Sequence, residues 1–119
     1  MLEALLALAF VALLGGSALA WGALAPDALL FVGLWGVGAG FAFGIPTGFW
    51  YHVELRRVLL AGGVLPARWW LHPTRLHAAI PPEQWWRVMS WCYAGALGWL
   101  VSFAGCWVFA LGAAKLLLT

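Results

Sequence analysis

The side chains best suited to chemistry in this sequence are three histidines and two cysteines, and their spacing restricts what they can do. His52 follows Gly48 in a small-xxx-His pattern. A neutral imidazole there is a possible axial ligand for a haem or chlorophyll, with Gly48 leaving room for the macrocycle. The commoner role for such a residue is a hydrogen bond to a backbone carbonyl or a lipid headgroup. His72 and His77 flank Pro73, with no Cys or acid at metal-ligand spacing, and read as loop residues. Cys92 and Cys106 lie on one apolar run, too far apart to bridge each other. No metal site is expected. No nucleophile–base set or phosphate loop is present, and Gly36, Gly38 and Gly40 fall inside an apolar run rather than a strand–helix turn. A non-enzymatic protein is expected.

The acids and bases are equally telling. Glu3, Asp27, Glu54 and Lys115 sit at the ends of apolar runs, and the middles carry no Asp, Glu, Lys or Arg. Pumps and proton-coupled exporters rely on ionisable groups within the membrane. Their absence here argues against those classes and leaves a passive pore built from several copies open.

The elements holding these residues follow from composition. The chain has 119 residues, 66% of them hydrophobic and 8% charged. About a quarter of residues are charged in a typical soluble domain. Hydrocarbon is the fitting solvent, and long continuous apolar runs favour helices over barrel strands. We expect an all-α integral membrane protein forming a single domain over 1–119, with spans at about 2–25, 28–52 and 88–115. Each has the roughly 20 residues a crossing requires. Pro26 and Asp27 mark a tight hairpin between the first two. The first run resembles a signal peptide only at Ser17-Ala18-Leu19-Ala20; its start carries Glu3 and no Lys or Arg, so a retained helix is expected.

Arg56, Arg57, Arg68, Arg75 and Arg87 all fall in the connector at 53–87. The positive-inside rule places that connector and the N-terminus in the cytoplasm and the C-terminus outside, and a bacterial inner membrane is the expected location. The basic cluster is thus a topology signal, and no nucleic-acid partner is expected. The second helix is expected to continue to about 61 and stop at Gly62-Gly63. The third is expected to start near Pro82, with Glu83 at its positive end. Between them, Trp69, Trp70, Trp85 and Trp86 suit the headgroup level, and the neighbouring arginines suit anionic lipid phosphates or a partner surface.

Small residues recur at four-residue spacing. Helix two carries Gly36, Gly40, Gly44 and Gly48; helix three carries Ser90, Ala94, Gly98, Ser102, Cys106, Ala110 and Ala114; helix one carries Ala12, Gly16 and Ala20. Such faces let backbones approach where lipid offers no hydrophobic drive. The glycine face of helix two is expected to receive another helix, a further subunit or a flat cofactor. Pro46 is expected to kink that helix, with the Thr47 hydroxyl on a freed carbonyl.

Three functions fit these features. The first is a small non-catalytic accessory subunit, packing against larger membrane subunits or further copies through its small-residue faces and its Trp/Arg connector. The second is a homo-oligomeric channel or small-molecule carrier gated near Pro46. The third is a haem- or (bacterio)chlorophyll-binding subunit using His52.

Overall fold

A computed structural model describes every residue, Met1–Thr119. The chain is all-helical, with α1 over Leu2–Ala23, α2 over Pro26–Ala61 and α3 over Trp85–Leu118. All three helices are long and apolar enough to cross a membrane. Three short 3-10 turns, Trp69–Leu71, Pro73–Ala79 and Pro82–Gln84, fill the connector.

The helix boundaries follow from local chemistry. Leu24 is extended and its N–H bonds the Ala20 carbonyl, closing α1. Pro26 and Asp27 then lie in the first turn of α2 rather than in the bend, which falls on Leu24 and Ala25. Proline restricts the residue before it to extended backbone and is itself pre-set for a first helical turn. At the other end of α2, Gly63 adopts a left-handed conformation, with φ at 68°. The Val64 N–H reaches the Leu59 carbonyl and the Gly63 N–H the Leu60 carbonyl, both at 3.1 Å. This paired closure satisfies the last carbonyls of the helix and favours glycine at the left-handed position.

Helix α2 passes Pro46 without a break. The Thr47 hydroxyl lies 2.7 Å from the Phe43 carbonyl and 3.2 Å from that of Gly44. The carbonyl deprived of a donor by Pro46 belongs to Ala42, so the hydroxyl serves the next two carbonyls along instead.

Two compact units make up the chain: Met1–Gly38 with Val101–Thr119, and Ala39–Leu100. In the first unit, α2 and α3 meet through glycine. A methyl added to Gly36 would lie 3.0 Å from the Gly105 Cα, and one added to Gly105 would lie 2.5 Å from the Val37 N. The Ser102 hydroxyl donates to the Val37 carbonyl at 3.3 Å. Toward the chain ends, Gly112 receives Leu29 and Leu30, and Leu29 is fully buried. No residue of α1 is buried.

In the second unit the same two helices meet at Gly44 and Gly98, and again at Gly48 and Gly95. A methyl on Gly98 would come within 2.6 Å of the Gly44 N and 2.9 Å of the Gly40 carbonyl. The hydrophobic core of this unit lies at the connector end. Tyr51, Leu55, Val58 and Leu59 of α2 pack there with Ile80 and with Val88 and Met89 of α3. The connector therefore folds onto the helix ends, with Leu65, Trp69 and Leu76 packed against that core.

Candidate functional site

The polar groups of the connector end form two clusters inside the second unit. Glu54, on the last turns of α2, is only 7% exposed. Its carboxylate accepts from Arg57 at 2.5 Å and from Arg87 of α3 at 3.2 Å. Burial of an unpaired carboxylate is costly, and two guanidinium partners offset that cost. One acid thus holds the end of α2 to the start of α3.

The second cluster joins α2, the connector and α3. The Tyr51 hydroxyl and the His77 Nε2 are 2.5 Å apart. Cys92 of α3 packs against the core that holds Tyr51. A tyrosine hydroxyl that donates to Nε2 satisfies both groups with a neutral imidazole. Burial pushes the His77 imidazole below its ordinary 6.5. The cluster pins the middle turn of the connector to α2. No three His, Cys, Asp or Glu side chains converge as metal ligands.

His52 makes the commoner of its two expected contacts. Its Nδ1 donates to the Gly48 carbonyl at 2.8 Å, and its ring tilts against Trp69 at 5.9 Å. In a neutral imidazole this contact leaves Nε2 as the nitrogen with the lone pair, the tautomer a metal-bound imidazole needs.

The paired tryptophans divide. Trp69 and Trp85 turn inward onto the core, whereas Trp70 is 59% and Trp86 70% exposed. Of the four tryptophans expected at the headgroup level, only Trp70 and Trp86 face outward. Neighbours on a helical turn point about 100° apart, so one of each pair faces inward. Of the arginines, Arg57 and Arg87 are tied to Glu54, while Arg56, Arg68 and Arg75 are exposed.

The small-residue faces also differ from a four-residue ladder. Gly40, Gly44, Gly98 and Ser102 are buried, and Gly36, Gly48 and Ala94 are half-buried. Cys106 and Ala110 are exposed, as is Pro46. The contacts instead add Gly33, Gly95, Gly105 and Gly112, which four-residue counting misses. Along α3 the buried small residues step by three and four: Gly95, Gly98, Ser102, Gly105. A step of four overshoots a turn by about 40°, so a long ladder walks around the helix, while alternating three and four keeps one face on the neighbour. The glycine face of α2 is filled by α3 of the same chain. That removes the space once open to a cofactor or a foreign helix at Gly36 and Gly44.

The face left open belongs to α1. No atom lies within 4 Å of a methyl placed on Gly15, Gly16 or Gly22. Beside it, Gly16, Ser17 and Ala20 of α1 line an apolar groove of about 230 Å3 together with Trp107 and Leu111 of α3. Two polar links hold α1 to α3. The Trp107 indole donates to the Ser17 hydroxyl at 2.8 Å, and Lys115 donates to the carbonyls of Trp21 and Leu24 at the end of α1. Lys115 was legible only as a terminal charge; here it closes a helix C-terminus, where a cation is favoured.

Comparison of the chain with protein families, with curated proteins and with solved structures gives no match.

Proposed function

We propose that this chain is a small non-catalytic accessory subunit of a larger membrane assembly. It sits in a bacterial inner membrane with the N-terminus and the connector in the cytoplasm and the C-terminus outside. The orientation rests on the arginines, all of which lie at the connector end.

The observation that carries the reading is the contrast between the glycine faces. Those of α2 and α3 fill each other, while a methyl placed on Gly15, Gly16 or Gly22 of α1 meets nothing within 4 Å and the groove that Gly16 lines with α3 stands open. Glycine costs a helix roughly 1 kcal/mol per residue relative to alanine, a cost that close helix contact offsets. A glycine face left to lipid gains nothing in return, so a helix from a larger subunit is its natural neighbour. Trp70, Trp86 and the exposed arginines offer that subunit a second contact at the cytoplasmic surface. The test is whether the chain leaves native membranes, in mild detergent, together with larger subunits.

One observation favours a second reading. The Nε2 lone pair of His52 is suited to a haem or chlorophyll metal. Native protein with absorbance beyond that of its tryptophans would support this reading, and colourless native protein would remove it.

A further inference from the structure

The outer face of α2 at the connector end carries two arginines on an apolar floor, and their charge is only partly neutralised within the chain. Val53, Arg56, Arg57, Leu60 and Ala61 share this face and line an open recess of about 550 Å3. Arg57 and Arg87 share the one carboxylate of Glu54. Arg56 has no hydrogen bond or ion pair. Three guanidiniums against one carboxylate leave a local excess of positive charge beside exposed apolar surface.

Helix length puts this charge at a defined depth. With Pro26 at the outer membrane surface, Arg56 lies about 45 Å along a helix rising 1.5 Å per residue, which is the thickness of a bilayer including both headgroup layers. The arginines are then level with the inner-leaflet phosphates, and Val53 lies on the hydrocarbon side of them.

We infer that this face is a binding site for one anionic glycerophospholipid. Its phosphate lies on Arg56 and Arg57, and its acyl chains run past Val53 toward the membrane core. Charge complementarity selects the occupant. A guanidinium fork matches phosphate oxygens in a bidentate manner, and an anionic headgroup brings no compensating cation, unlike phosphatidylcholine. The Glu54 carboxylate holds Arg57 in place through one nitrogen and leaves its other donors for the phosphate. The inference rests on the membrane reading and its proposed orientation and not on the accessory-subunit reading.

The experiment is native mass spectrometry of the full chain, purified and equilibrated with vesicles of phosphatidylglycerol and phosphatidylcholine in equal amounts. Wild-type protein should retain phosphatidylglycerol preferentially. Arg56→Gln should lower that retention roughly fivefold, the effect of one cation at an anionic surface. Arg56→Lys, which keeps the charge and loses the fork, should fall between wild type and Arg56→Gln, and Arg68→Gln, which alters an exposed arginine off this face, should change nothing. Equal retention of the two lipids overturns the inference, as does an Arg56→Gln protein that matches wild type or an equal loss in Arg68→Gln. An Arg56→Gln defect confined to co-purification with other subunits also overturns it and assigns the face to an acidic protein partner.

Discussion

The Glu54 carboxylate of α2 and the Arg87 guanidinium of α3 meet at 3.2 Å, and Arg57 completes the pairing from the same helix as the acid. The acid is shielded while both arginines are half-exposed, so the pairings are unequal in consequence. Glu54→Gln removes the shared partner of two cations. It should destabilise the fold by about 1–2 kcal/mol, below the value for a fully buried pair because water screens the arginine side. Arg57→Ala and Arg87→Ala should each cost less, since each leaves Glu54 with one partner. Denaturation in detergent, run as a double-mutant cycle, measures the ordering.

The glycine contacts predict a position-specific response to one added methyl. Gly98→Ala forces a methyl into the Gly44 backbone and should cost about 1–3 kcal/mol, the usual range for overpacking. Gly44→Ala meets Gly98 at 3.2 Å and should cost less. Gly38→Ala meets nothing and should be neutral or stabilising by up to about 1 kcal/mol through helix propensity. Thermal unfolding of the three variants tests the order.

This pattern also marks what the sequence reveals and where it stops. Three apolar runs, the terminal signals at Gly62-Gly63 and Pro82, and the presence of small-residue faces are all local features, and the sequence carries them directly. The pairing of faces is not local. Gly40, Gly44, Gly98 and Ser102 are found by counting in fours; Gly33, Gly95 and Gly105 require a 3.5-residue period, which pairing with another helix imposes. Glu54 looks like a helix-end charge until Arg87 is brought to it from another helix. The inward turn of Trp69 and Trp85 depends in the same way on a core assembled from three separate segments.

Acidification should loosen the connector. His77 is held neutral by burial, and its affinity for protons is lower in the folded chain than in the unfolded one. The stability it contributes is therefore complete above about pH 6.5, falls as the pH drops below that value, and is lost once the pH passes the lowered folded pKa. Protonated His77 cannot accept from Tyr51. Proteolysis between Gly63 and Ile80 should accelerate from pH 7.5 to pH 5 in the wild type and show a flatter dependence in His77→Asn. A wild-type rate independent of pH would contradict this.

Lys115 should govern the end of α1. Lys115→Met leaves the Trp21 and Leu24 carbonyls without their charged donor. A loss of about 1 kcal/mol is expected, on the scale of a single hydrogen bond at a helix terminus. Hydrogen exchange at the Leu24 amide, which bonds the Ala20 carbonyl, should quicken severalfold, while exchange around the Glu54 cluster stays unchanged.

If the glycine face of α1 belongs to another subunit, filling that face should release the chain from its companions. Affinity-tagged chain is solubilised from native membranes in mild detergent and its size and companions are determined, for the wild type and for Gly16→Leu. The groove beside Gly16 is open and apolar, and a methyl placed on Gly16 meets nothing within 4 Å, so a larger apolar side chain has room to start from there. Wild-type protein should migrate with larger membrane subunits in fixed proportion, and Gly16→Leu should be released from them while keeping its wild-type thermal stability. Recovery of the wild type as a lone monomer, or unchanged association of the Gly16→Leu protein, would contradict it.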